Sequence, residues 1–330
     1  MRSGWRAPRS GSATVLYFLL ASPREEDLRK LRVSVVEYLN TAPLVWGFTD
    51  GPLAGKYELS FTVPSECAEA LRRGDADIAI IPSIEYQRIP GIVALPEIGV
   101  AAKGAVRSIL VVAKKPIEMA RRIALDAGSR SSAALVRILA AEFWKIQPEW
   151  VNAAPNPSEM LKDADAALVI GDPALRISLK MDRLDGKAPA GESCCDGDPE
   201  DMPVPGFDTL FVYDVAHQWR ELTGKPCVLA LWAGRRGAVT PEVIADFQAS
   251  KDYGLDRIRE IAETASMKLD LPPGALERYL TENVHYDLDE EFVAGLRLYF
   301  EKAAAMALIP RAIALDFAGT EAPHAAQQGA

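Results

Sequence analysis

The stretch Leu31-Arg32-Val33-Ser34-Val35-Val36-Glu37-Tyr38-Leu39-Asn40-Thr41-Ala42-Pro43-Leu44 decides the fold. Its opening six residues are rich in valine and too short for a helix, which marks a buried strand. A polar Asn-Thr pair follows. Pro43 then suits a first helical turn, where its missing N–H costs nothing. The same order recurs downstream. Tyr57 to Val63 alternates as a strand, and Pro64-Ser65-Glu66 opens a helix to about Arg73, with Ser65 placed to cap it. Gly74-Asp75 ends that helix, and Ile78 to Ile81 is a buried strand leading into Pro82-Ser83-Ile84-Glu85-Tyr86. Strands alternating with helices, with polar loops where strands end, are the pattern of a doubly wound α/β fold. Such folds bind ligands at the carboxyl ends of their strands.

A second block repeats this logic. Gly91 to Ala101 holds a short strand, and Ser108 to Ala113 a longer one. Arg122 to Asp126 is a strand that runs into the hydroxyl-rich loop Ala127-Gly128-Ser129-Arg130-Ser131-Ser132. The helix after it carries Leu135, Ile138, Leu139 and Phe143 on one face. Ala166 to Ile170 is a strand ending in Gly171-Asp172-Pro173. Residues 181–207, with four glycines and four prolines, read as a surface insertion. A helix at Asp214 to Leu222, a strand at Cys227 to Trp232 and three helices over Pro241 to Met306 complete the chain. The expected organisation is a discontinuous first lobe (31–112 and 228–330) and a second lobe (113–227), hinged at two crossings around a ligand.

Residues 1–30 read as an extension. Arg2, Arg6 and Arg9 before the apolar run Ala13 to Ala21 resemble a signal peptide, but Leu19 to Pro23 lacks a small-x-small cleavage pattern. Export is the alternative. No apolar stretch of about 20 residues is present, so no membrane span is expected. The net charge of −9 opposes generic binding to nucleic acid or anionic membranes. An anion would have to be held locally, by helix N-termini and a few polar groups. Cys67, Cys194, Cys195 and Cys227 show no C-x-x-C spacing and read as reduced thiols of a cytoplasmic protein. His217, His285 and His324 lie far apart, so no metal is expected. There is no glycine-rich phosphate loop.

Several of these segments together resemble a known family. Tyr38-Leu39-Asn40-Thr41-Ala42-Pro43-Leu44 is similar to its opening Y-L-N-x-x-P-L motif. Pro64-Ser65, Gly74-Asp75-Ala76-Asp77, Pro82 to Tyr86, Val106-Arg107-Ser108, Leu125 to Ser132, Ile170 to Leu175, Trp219 with Thr223 to Pro226, and Tyr279 to Tyr286 follow in the family's order. The chain thus resembles the MqnA/MqnD family of menaquinone biosynthesis from about Leu31 to Ala303, and more closely its chorismate dehydratase branch. The naphthoate-forming branch opens with a Ser-Pro-Cys-Pro-Asn-like stretch that this sequence lacks.

The resemblance implies the two-lobed type II periplasmic-binding-protein fold, each lobe a mixed sheet flanked by helices. It also implies chorismate as a small carboxylate substrate, dehydrated on the futalosine route without a cofactor or metal. It leaves the oligomeric state open. On this basis Asn40 and Ser108 are the expected catalytic residues. Thr41, Ser83, Ser129, Ser131, Ser132 and Asp172 are expected to bind substrate. Local sequence alone reads Asn40 as a turn residue, one of the serines as a helix cap and Asp172 as a loop cap. Tyr86, Trp46 and His217 read as structural. A solute-binding protein without catalysis, or a 1,4-dihydroxy-6-naphthoate synthase, are the alternatives.

Overall fold

The computed structural model describes residues 29–184, 204–206 and 210–319. The expected extension, most of the expected insertion, Cys194, Cys195 and His324 lie outside the described residues. In chain order the elements are β1 (Arg32–Val36), α1 (Ala42–Thr49), β2 (Glu58–Thr62), α2 (Pro64–Arg73), β3 (Ile78–Pro82), β4 (Ile92–Ala102) and β5 (Ile109–Ala113). There follow β6 (Arg122–Asp126), α3 (Ser131–Glu142), β7 (Glu149–Ala153), α4 (Pro157–Asp163), β8 (Ala166–Ile170), α5 (Gly171–Leu184), β9 (Phe211–Asp214) and α6 (Val215–Thr223). The chain closes with β10 (Cys227–Arg235), α7 (Pro241–Leu255), α8 (Ile258–Leu269), α9 (Pro273–Arg278), β11 (His285–Asp287) and α10 (Glu290–Ala305).

The strands form two mixed sheets, one ordered β11-β4-β10-β3-β1-β2 and the other β7-β6-β8-β5-β9. In each, three parallel strands are joined by one antiparallel strand contributed from across a crossing: β10 between β3 and β4, and β5 between β8 and β9. Apart from β11, which extends only the first sheet, the two sheets share one strand order, although the sequence shows no repeat.

This corrects the expected boundary at residue 112. β5 pairs along its whole length with β8, Ile109 opposite Ile170 and Ala113 opposite Ala166, so it belongs wholly to the second sheet. All five of its residues are buried. Ile109, Val111 and Ala113 join the main core, while Leu110 and Val112 join a smaller cluster on the opposite face. A strand apolar on both faces fits either sheet, and only its partner decides. Other differences have similar causes. β7 and β9 are short edge strands with exposed residues and carry little periodic signal. The sequence after Ile170 enters α5 directly, with no loop, and residues 181–184 continue that helix. The C-terminal region holds four helices, not three, with a five-residue π turn (Tyr279–Asn283) and β11 between α9 and α10.

The first lobe is anchored by aromatic rings. Trp232 on β10 meets Phe247 on α7 edge-on at 4.8 Å, and Phe247 in turn packs edge-on against Phe48 of α1 at 5.0 Å. Such pairs add about 0.5–1.5 kcal/mol each beyond area burial. They hold α1, and hence the loop before it, rigidly on the sheet.

Candidate functional site

The carboxyl end of β1 delivers the first site residue. Asn40 sits in the 3-10 turn Leu39–Thr41, and its neighbours are fixed from two sides. The Thr41 hydroxyl shares its proton between the carbonyls of Val36 and Tyr38, which ties the turn to the strand. From the other lobe, the Asp172 carboxylate accepts the Leu39 N–H at 3.0 Å. Burial pushes the Asp172 carboxyl above its usual range, partly offset by that hydrogen bond.

Ser108 precedes β5, at the crossing between lobes. Arg107 adopts a left-handed backbone, φ +66°, which an L-residue enters at a cost of about 1–2 kcal/mol. The conformation is held by Asp214, whose Oδ2 accepts the Arg107 N–H at 2.6 Å, and by the Arg107 side chain on Ser178 and Asp182. Burial pushes the Asp214 carboxyl up, while main-chain N–H groups at His217, Arg107, Val106 and Ala216 pull it back. The turn aims Ser108 inward: its Oγ is buried and closes no aligned hydrogen bond. Its carbonyl accepts the N–H of Gly171 at 2.8 Å.

The third contribution is the amino end of α3, a twelve-residue helix whose N-cap, Arg130, makes no side-chain capping bond. Its first main-chain N–H groups are therefore donors for an anion. The Ser131 hydroxyl is already committed. It accepts the Ile84 N–H at 3.2 Å and lies 3.1 Å from Ser83 Oγ, which donates to the Val228 carbonyl at 2.8 Å. Arg130 reaches Glu69 on α2 at 3.6 Å, an ion pair across the two lobes.

These groups converge. Asn40, Thr41, Ser108, Ser129, Arg130, Ser131 and Ser132 line one cleft of about 500 Å³, counting its solvent-open part, with Tyr38, Ile170, Gly171 and Leu229 as further walls. Two expected contacts do not line it. Ser83 is fully buried behind Ser131. Asp172 lies behind the Asn40 turn and faces two neighbouring grooves, so its carboxylate buttresses the turn from the far side. Trp46 lines one of those grooves, and Tyr86 donates to the core side of the chain at Asp316. Glu85 is buried between Arg72 and Arg88 and serves as a structural ion pair.

Two cleft residues were passed over in the sequence. Arg130 sat among the serines of its loop, and Tyr38 headed the first motif. Tyr38 is forced against the cleft by Gly171, and its phenol is pushed up by burial and then by the charges of Asp126 and Asp172. Among the described residues no three His, Cys, Asp or Glu side chains converge to hold a metal.

Two mixed sheets of one topology, with polar loop ends facing a shared cleft, define the periplasmic-binding-protein-like class. Solved structures of this shape include protein AF1704 of Archaeoglobus fulgidus (TM-score 0.63, 20% identity, covering 85% of this chain and 98% of that one). Another is the Escherichia coli periplasmic aliphatic sulphonate binding protein SsuA (TM-score 0.55, 16% identity, 89% and 95%). Within that class, the model of the menaquinone biosynthesis family matches residues 31–305, and the chain belongs to this family. It is also similar to the chorismate dehydratase of Thermus thermophilus, 28% identical over 284 residues that span 83% of this chain and 95% of the relative.

Proposed function

We propose that this chain is a chorismate dehydratase, a hydro-lyase that converts chorismate to 3-[(1-carboxyvinyl)oxy]benzoate and water on the futalosine route to menaquinone. The observation that carries the reading is the meeting of Asn40, Ser108 and the uncapped end of α3 in one cleft, each from a different part of the chain. The similarity to the Thermus thermophilus dehydratase supports it.

The reaction removes the hydrogen on ring carbon C3 and the hydroxyl on C4, and the ring becomes aromatic. The enzyme has to hold a dianion, orient the ring and stabilise the departing hydroxide as it takes up the proton to leave as water. Arg130 and the first N–H groups of α3 suit one carboxylate, through a charge-assisted contact and the helix dipole. Asn40 and Ser108 offer neutral donors to the departing hydroxyl. Ser129 and Ser132 complete the polar wall beside the carboxylate. The buried, unpaired thiols of Cys67 and Cys227 are in keeping with a cytoplasmic enzyme.

Purified protein incubated with chorismate should yield the aromatic enolpyruvyl ether, and Asn40→Ala should abolish turnover while leaving the fold intact. Tight binding with chorismate unchanged would instead favour a solute-binding protein, a reading favoured by the structural likeness to SsuA.

A further inference from the structure

The donor end of α3 follows a strand of the second sheet, yet it is tied to the first lobe from two sides. Ser83, Ser131 and Tyr299 are all buried where this happens. Counting protons assigns each bond. Ser83 spends its one hydroxyl proton on the Val228 carbonyl of β10 at 2.8 Å. The 3.1 Å contact between the two serine hydroxyls is therefore Ser131 donating to Ser83. Ser131 Oγ in turn accepts the Ile84 N–H at 3.2 Å. Its proton is spent inside the protein, and none is left for a ligand. On the other side, the phenol of Tyr299 on α10 donates to the Ser131 main-chain carbonyl at 3.0 Å, from 168 residues along the chain. A helix carbonyl already accepts the N–H four residues on, so the phenol takes its second lone pair. The helix does not need this bond. Nor does the packing: a phenylalanine would lie equally well against Trp219, which meets the ring edge-on at 6.0 Å. The hydroxyl is a tether for the first turn of α3. That turn carries the free N–H groups behind Arg130 and faces the same cleft as Ser108, whose buried Oγ has no partner.

We infer that Tyr299 is a positioning residue for the substrate carboxylate: with Ser83 it pins the first turn of α3 to the first lobe, so that the N–H donors stand at a fixed distance from Asn40 and Ser108. Tyr299 does not line the cleft and acts through the helix. Donors held in place before the substrate arrives cost no ordering when it binds. The carboxylate keeps its charge throughout the dehydration, so its contacts favour the bound substrate and the transition state alike. The inference deepens the dehydratase reading of the cleft and rests on it.

The test is Tyr299→Phe in the full chain, assayed with chorismate beside the wild type. The variant should lose no more than about 4 °C of melting temperature. Its KM should rise at least about fivefold with kcat within about twofold, the signature of lost uniform binding. Lys302→Met is the control. It removes the other link between α10 and α3, the ion pair to Glu142 at the far end of the helix, and should leave KM within about twofold. An unchanged KM in Tyr299→Phe, a loss confined to kcat, or an equal rise in KM in Lys302→Met would overturn the inference. Should Tyr299→Phe fail to fold, Ser83→Ala loosens the same turn from its other side and is read by the same ratios. Wild type that binds chorismate without converting it overturns the dehydratase reading, and the role of Tyr299 is then read from the dissociation constant of chorismate. Wild type that neither binds nor converts chorismate overturns both.

Discussion

Gly171 lies so close to Tyr38 that a β-carbon on it would stand 2.6 Å from the ring. The glycine opens α5 with φ +68° and donates its N–H to the Ser108 carbonyl. Tyr38, from the loop after β1, closes over it. One residue without a side chain thereby joins the Asn40 turn to the crossing at Ser108.

Gly171→Ala therefore carries two costs, a left-handed backbone of about 1 kcal/mol or more and a collision with the Tyr38 ring, which has to move to relieve it. We expect a lower melting temperature and at least about a tenfold loss in kcat/KM. Thermal unfolding and turnover of the purified variant check both.

Asp172 separates buttressing from ligand binding. Asp172→Asn keeps an acceptor for the Leu39 N–H, whereas Asp172→Ala leaves that amide unpaired, at about 1–3 kcal/mol. A buttress predicts near-normal KM in Asp172→Asn and damaged stability and kcat in Asp172→Ala. A ligand contact predicts a raised KM in both. Steady-state kinetics of the pair distinguish them.

Arg130 is the cationic side chain lining the cleft, and its partner Glu69 also pairs with Arg72. The Glu69 carboxyl is held below its usual range, first by the Arg72 hydrogen bond and with help from Arg130. Glu69 can thus release Arg130 to a substrate carboxylate and keep a partner. Arg130→Gln should raise KM at least about tenfold, with a smaller effect on kcat. KM of the wild type should rise with salt more steeply than that of the variant.

His285 on β11 sets an acid limit on stability. Burial, and then the charge of Lys103, hold its imidazole below the usual value, against a weaker upward pull from Asp289. The unfolded chain therefore takes up a proton first as the pH falls below about 6.5. Its contribution to stability is full above that value and is lost on acidification through the lowered folded pKa. Between about pH 7.5 and 5, His285→Gln should lose fewer degrees of melting temperature than the wild type. Equal losses would show that the histidine plays no part.

Much of this was legible in the linear chain. Short runs of branched apolar residues such as Val33 to Val36 and Ile78 to Ile81 read as buried strands, because so many such side chains in so few residues must leave water from both faces. Asn40 and the serines before α3 stand where strands end or a helix begins, and in α/β folds those places face the ligand. Local pattern therefore determined the order of the central strands and helices, the class of fold and the loops that carry the polar groups. It left open which sheet β5 would join, since Ile109 to Ala113 is equally apolar on both faces. It also left open which polar residues on the loops face the cleft. Asp172 and Ser83 read in sequence like Ser132, yet they turn to Leu39 and Val228. Arg130 and Tyr38 came to line the cleft only when segments from distant parts of the chain met. Side-chain direction and partner choice are decided by contacts far apart in sequence, so the tertiary structure alone settles them.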